Sequence, residues 1–315
     1  MGRFLLRNFL TIGIVCAAAA ALRAPHAGLA LQRIGAMPVI IFVVFIFSGL
    51  SLETGHFVRE ARNLRAPLYA ILAVSGIFPV MGYILGQACD MGGGEFVGLM
   101  VVSSCPTTLA SGIILATLAG GSVPIAILIT VVCSMTAVLL MPVVLEGVLG
   151  LVGHIDLPVA RMMLRLTYLI IVPTVIGQVL RQPLVAQIKR YQPVLKLLPI
   201  VLVILMIFIA VSRGSEELRG NGLPVLLHVA GVAVLLHIVM LGVNYTAGRA
   251  MRLPAAALRS LTIVASQKTI PISVFVALTY FPDYPTAVLP CVLFHLLQIL
   301  VDSLIANAWA RKPTD

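Results

Sequence analysis

Apolar runs of about twenty residues follow one another along nearly the whole chain, and polar residues gather in the short gaps between them. A helix of that length crosses roughly 30 Å of hydrocarbon. The pattern predicts ten membrane helices, over residues 8–22, 35–52, 67–88, 95–119, 122–149, 158–180, 194–212, 223–247, 257–281 and 285–309. That is an all-α polytopic membrane protein, with no gap long enough for a soluble domain. Two runs, the fourth and the ninth, are interrupted by Ser103-Ser104-Cys105-Pro106-Thr107-Thr108 and Ser266-Gln267-Lys268-Thr269-Ile270-Pro271. Pro106 and Pro271 each remove a backbone donor and free a carbonyl one turn earlier, so both helices are expected to break there. Irregular backbone at membrane depth survives only where protein or a water-filled cavity satisfies it. Paired interruptions in two halves of a chain point to the binding site of a secondary transporter.

The gap near 150–157 divides the chain into five spans on each side, residues 1–152 and 153–315. An odd number of spans per half turns the second half over relative to the first, an inverted repeat. The interrupted helix is the fourth of each half, so the two breaks are expected to cross near the bilayer midplane, with spans five and ten beside them. The first run is read as a span rather than a cleaved leader, because the repeat needs it.

Composition agrees. The chain is 60% hydrophobic and 10% charged, with a mean hydropathy of +1.11, against about 25% charged residues in a soluble domain. Basic residues fall on one side of the ten-span arrangement: Arg3 and Arg7; Arg59, Arg62 and Arg65; Arg181, Lys189, Arg190 and Lys196; Arg249, Arg252 and Arg259; Arg311 and Lys312. The other side holds Asp90, Glu95, Glu146, Asp156, Glu216, Glu217 and Asp283 with fewer bases (Arg23, Arg33, Arg213, Arg219). The positive-inside rule therefore puts both termini in the cytoplasm and the chain in an inner or plasma membrane. The net charge of +10 is this loop bias meeting a lipid bilayer, with no nucleic-acid partner implied. The five cysteines form no CxxC, so neither a disulfide framework nor a zinc site is indicated. No paired aspartate, GxSxG or HExxH argues for an enzyme, and no cofactor is implied beyond Na⁺ or H⁺ as a coupling ion.

The candidate functional residues surround the two breaks. Thr107, Thr108 and Ser111 follow Pro106, and Thr130 and Ser134 share one face of span five. The competing reading is that such hydroxyls bond their own helix carbonyls. Lys268 is one of four lysines in the chain, and a cation at mid-helix costs roughly 2.5–3.5 kcal/mol. An ion pair, a substrate anchor or a proton carrier would each account for it, with Gln267 and Thr269 beside it. His295, Gln298 and Asp302 form one stripe of span ten. Asp302 is expected to pair with Lys268 or a nearby arginine, and His295 to bond between helices. Arg161 and Arg165, four apart on span six, either snorkel to the interface or help attract an anion.

The strings SSCPTTLASG, ATLAGGSVPIAILIT, SQKTIPISV and LFHLLQILVDSL resemble the bile acid:sodium symporter superfamily, in its bacterial SBF-like branch, over nearly the whole chain. The resemblance implies a core of spans three to five and eight to ten and a panel of spans one, two, six and seven. It also implies discontinuous, crossed fourth and ninth helices, and alternating access to a small organic anion held between panel and core. In sodium-coupled members the ion sits at the crossing; here Ser111, Thr130 and Gln267 match its ligands. Three positions depart from that pattern. Gly112 stands where the motif has asparagine, Ile263 replaces the glutamate four positions before Gln267, and Ser75 or its neighbours stand in for the third-helix glutamine. Two like charges 4 Å apart cost about 4 kcal/mol at an effective dielectric near 20, so an ammonium aimed at the site would weaken sodium binding about a thousandfold. The expectation is therefore an anion carrier in which Lys268 replaces the coupling cation. The alternatives are a sodium-coupled symporter, a cation/proton antiporter and a non-transporting membrane regulator of the same fold. Span five has no aspartate between Ile125 and Leu139 to serve an antiporter.

Overall fold

A computed structural model describes residues 9–52, 64–108, 111–150 and 157–310. Arg3, Arg7, Arg59, Arg62, Asp156, Arg311, Lys312 and the expected boundary between the repeats lie outside the described residues, as do the side chains of Lys189, Lys196, Glu216, Glu217 and Arg219.

Among the described residues all regular structure is helical. In chain order the helices are α1 (Phe9–Arg23), α2 (Pro25–Arg33), α3 (Ala36–Ser51), α4 (Arg65–Ala88), α5 (Gly93–Ser104), α6 (Ser111–Leu118) and α7 (Val123–Gly150). They continue with α8 (Val159–Arg181), α9 (Gln192–Arg213), α10 (Gly222–Ala250), α11 (Ala255–Ser266), α12 (Ile270–Tyr280) and α13 (Pro285–Ala310). Helix thus covers each apolar run. Among the described residues six helical stretches are long and apolar enough by themselves to cross a membrane, or seven if α1 and α2 count as one bent span. The shorter apolar helices are Ala36–Ser51, Gly93–Ser104 and Leu197–Arg213.

Two features escaped the hydrophobic pattern. The chain after α1 bends by 96° at Pro25 and continues as α2, where a loop was expected. Proline lacks the donor to extend α1 but suits the first position of the next helix. Within α4, Ala73–Ile77 is a π-turn, with Phe78 N–H reaching back to Ala73 O. In that wider register the next donor would come from residue 79, a proline, so the Val74 carbonyl is left without a helical partner.

Helices α1, α2, α3, α9 and the second half of α8 pack on one another, as do α4 to α7 with α10 to α13. The two groups meet where α3 and α9 touch α12 and where α7 touches α8. Helices α3 and α8 approach backbone to backbone. A Cβ on Gly49 would run into Thr174 O, and one on Gly177 into Ile46 O. Without a hydrophobic force between helices in lipid, such small residues permit the close backbone packing that holds them. The C-terminal carbonyls of α3 are capped from α8: Gln178 Nε2 donates to Gly49 O and Leu52 O, and Arg181 Nη1 donates to Leu50 O at 2.7 Å. Arg259 similarly caps Ala119 O at the end of α6.

Candidate functional site

The two interruptions touch. Cys105 leaves α5 in extended conformation, as do Gln267 and Thr269 between α11 and α12. Thr269 N–H donates to Pro106 O at 3.0 Å, backbone of one break to backbone of the other. Thr107 Oγ1 donates to Val264 O at 2.6 Å. Gln298 of α13 clasps the unwound Lys268 peptide from both sides. Its Oε1 accepts Lys268 N–H and its Nε2 donates to Lys268 O, each at 2.7 Å. The side-chain amide thus replaces the helical partners that the break removes. His295 Nδ1 lies 2.9 Å from Gln298 Nε2 and 3.3 Å from Lys268 O, so the ring rests against the same peptide. Residues 260–278 of the α11–α12 unit are all buried inside the protein.

Lys268 is fully buried. Its Nζ donates to Val74 O and to Cys105 O, both at 2.8 Å, and lies 4.0 Å from the centre of the Phe78 ring. Two carbonyl dipoles and an aromatic face are surroundings suited to an ammonium. The Val74 carbonyl is the one released by the π-turn before Pro79, and the Cys105 carbonyl precedes Pro106. One side-chain nitrogen therefore ties α4, the first break and the second break together.

Side chains of successive extended residues point to opposite faces. Gln267 turns toward α6 and α13, and Lys268 toward α4. Thr108 Oγ1 donates to Gln267 Oε1, while Ser111 Oγ lies 3.0 Å from Thr108 Oγ1 and 3.3 Å from Gln267 Oε1. Thr108 Oγ1 also accepts Gly112 N–H at 3.0 Å, capping α6. Gly112 suits this tight spot: a Cβ would sit 3.0 Å from that hydroxyl and 3.1 Å from Gln267 Oε1, and the side chains would have to give way. Thr130 does not join the cluster. Its hydroxyl bonds Ala126 O of its own helix at 2.8 Å, and Ser134 is buried one turn further along α7. Ile263, which stands where the resembled pattern has a glutamate, is enclosed by Leu115, Ala119 and Ala306 in an apolar cluster. Three neutral oxygens satisfied largely by one another are a weak ligand set for a hard cation, which favours negative charge.

Asp302 departs from expectation. Its partners are His237 of α10, with Nε2 2.8 Å from Oδ1, and Gln267, whose Nε2 donates to Oδ2. Lys268 turns the other way. His237 Nδ1 faces Ser266 O at 3.1 Å and must donate to that carbonyl. Its Nε2 and Asp302 therefore share a single further proton. Asn244 Nδ2 donates to Ser266 Oγ at 2.8 Å, which buries the only atom a glycan could use. The sequence reading passed over His237 and took Asn244 only as part of the sequon Asn244-Tyr245-Thr246, set aside because it lies within a span. Their signal was present: two polar residues two turns apart on one face of an otherwise apolar span.

A cavity of about 130 Å³ opens beside the crossing. Phe45 and Ser48 of α3 and Pro199 and Val203 of α9 form one wall; Thr108, Ser111, Thr269 and His295 form the other. The wall is mainly apolar with a few hydroxyls, as ligand pockets are. Helix α12 begins at this cavity, with Thr269, Ile270 and Pro271 on its lining. The positive end of its dipole thus faces the space.

Apolar helices assembled around two touching helix breaks, with a pocket beside them, define a multi-pass membrane transporter. The chain belongs to the SBF-like CPA transporter family, whose profile matches residues 8–311. It is 27% identical over 323 residues to "Probable sodium/metabolite cotransporter BASS4, chloroplastic" of Arabidopsis thaliana, covering 98% of this chain and 74% of that protein. The protein of the same name in Oryza sativa subsp. japonica is 26% identical over 325 residues, covering 98% and 77%. The "Uncharacterized sodium-dependent transporter YocS" of Bacillus subtilis is 21% identical over 280 residues, covering 87% and 83%. These are names of transporters rather than enzymes.

Proposed function

We propose that this protein is a secondary transporter of a small organic anion, working by alternating access across an inner membrane with both termini in the cytoplasm. On this reading the helices form ten spans in two inverted repeats, 1–152 and 153–315. The group α1, α2, α3, α8 and α9 acts as a panel that moves against a core of α4 to α7 and α10 to α13. The anion occupies the cavity between Ser48 and Val203 on the panel and Thr108, Ser111, Thr269 and His295 on the core. The start of α12 supplies positive potential without a fixed basic side chain in the pocket. The small volume supports a ligand of few heavy atoms.

The coupling ion is the finer question. The observation that carries our reading is the Lys268 ammonium bonded to Val74 O and Cys105 O. It supplies the positive charge that a bound ion supplies at the crossing of sodium-coupled relatives, which supports sodium-independent transport. A second reading, sodium symport, draws on the printed names of the relatives and on the turn of Lys268 away from Gln267 and Ser111. That turn weakens the like-charge objection to an ion among those oxygens. The antiporter reading draws on the letters CPA in the family's description, against a span five with no aspartate between Ile125 and Leu139; the non-transporting reading gains no comparable support.

Reconstituted protein with labelled small carboxylates separates the two leading readings. Uptake should be the same in sodium and in choline at matched ionic strength, and sodium should leave thermal stability unchanged, because a ligand of the folded state must raise it. A saturable sodium-dependent rise would move symport to first place. In a folded Lys268→Gln variant, anion affinity and its pH dependence should both change; unchanged values would remove Lys268 from the mechanism.

A further inference from the structure

A second cavity, of about 180 Å³, lies at the other end of the same helix seam. Helix α3 lines the first cavity with Val44 and Ser48 and the second with Met37 and Pro38; α12 lines the first with Ile270 and Pro271 and the second with Leu278 and Thr279. At 1.5 Å per residue these pairs of positions are about 10–15 Å apart along each axis. Between them Ile41 and Val274 are buried, so the seam is closed.

The second cavity differs in character from the first because it contains a guanidinium. Arg165 of α8 lines it, and its Cζ lies 5.1 Å from the centre of the Phe275 ring on α12. Phe275 is buried and Arg165 is itself exposed, so the guanidinium lies at the mouth of the cavity, over the ring. A guanidinium offers a fork of N–H donors that matches a carboxylate, and the Tyr280 hydroxyl is a further neighbour of this one. Among the described residues no carboxylate lies within salt-bridge reach of Arg165. Gln32 of α2 and Thr279 of α12 complete the polar lining, and among the described residues neither side chain has a hydrogen-bond partner. Arg161, one turn before Arg165, adds positive potential on the same helix face.

We propose that Arg165, Thr279 and Gln32 form a second anion site, for a small monocarboxylate, at the end of the seam away from the helix crossing. The guanidinium binds both carboxylate oxygens, the Thr279 hydroxyl adds a donor, and the Phe275 ring lies beneath the arginine. As a docking station on a transport path it rests on the function proposed above; as a carboxylate site it stands without it.

The test is protection of Arg165 from phenylglyoxal in full-length protein in lipid nanodiscs, read residue by residue by mass spectrometry. Acetate, pyruvate and benzoate serve as probes against chloride at equal ionic strength. At a probe concentration ten times its dissociation constant, occupancy alone slows labelling about tenfold. Exposed Arg23 should label at the same rate throughout, and Thr279→Val should weaken the protection several-fold without altering the unprotected rate. Equal labelling of Arg165 in chloride and in all three carboxylates overturns the site, whatever the flux assays give. Protection without any carboxylate flux would establish the site and defeat the transport reading.

Discussion

At the scale of single residues, the crossing is an accounting of polar groups. Each proline break releases carbonyls, and a specific side chain meets them: Lys268 for Cys105 O, Thr107 for Val264 O, His237 for Ser266 O and Gln298 for Lys268 O. The His237–Asp302 pair allows a sharp contrast. In Asp302→Asn the amide can donate to His237 Nε2 and still accept from Gln267, so thermal unfolding should move by no more than about 1 kcal/mol. In Asp302→Ala both partners lose their bonds in a dry interior, and a loss of about 2–4 kcal/mol is expected. Equal effects of the two substitutions would show that the pair is not a hydrogen-bonded clamp. Lys268 and Asp302 were both legible in the sequence as groups costly to bury. Their partners were not. Val74 and Cys105 contribute backbone carbonyls, which every residue has, and the nearest opposite charges in the sequence pattern were not the nearest in space.

At the scale of elements, the hydrophobic runs and the two proline clusters located the helices and their breaks. The pattern could not locate the π-turn in α4, because five residues of altered register leave the apolar run intact. The bend at Pro25 was hidden for the same reason. Helix pairing follows from where backbones approach. Gly177 has no space for a side chain, since a Cβ would strike Ile46 O and crowd Gly49 Cα. Backbone cannot step aside as a flexible side chain can. Gly177→Val should therefore separate α3 from α8 and lower stability by about 1–3 kcal/mol, measured as the unfolding midpoint in detergent. A neutral result would mean that the two helices are not held by this contact.

At the scale of the whole molecule, the two cavities lie on one seam and open at different ends of it, with α3 and α12 running between them. In a variant carrying replacements for the native cysteines, Ser48→Cys and Gln32→Cys should react with a membrane-impermeant maleimide from opposite faces of a proteoliposome. A carrier that alternates should show Ser48→Cys protected, and Gln32→Cys exposed further, when the opposite state is favoured. Labelling of both positions from one face would contradict a single seam crossing the membrane. The sequence by itself determined that this chain is built of apolar helices and that two of them are broken, because hydrocarbon thickness, residue polarity and proline geometry act locally. Only the tertiary structure decided that Lys268 reaches α4, that Asp302 meets His237, and that Arg165 turns toward Phe275. In an interior without water each polar group takes the nearest complementary partner, and which partner is nearest depends on how the helices pack.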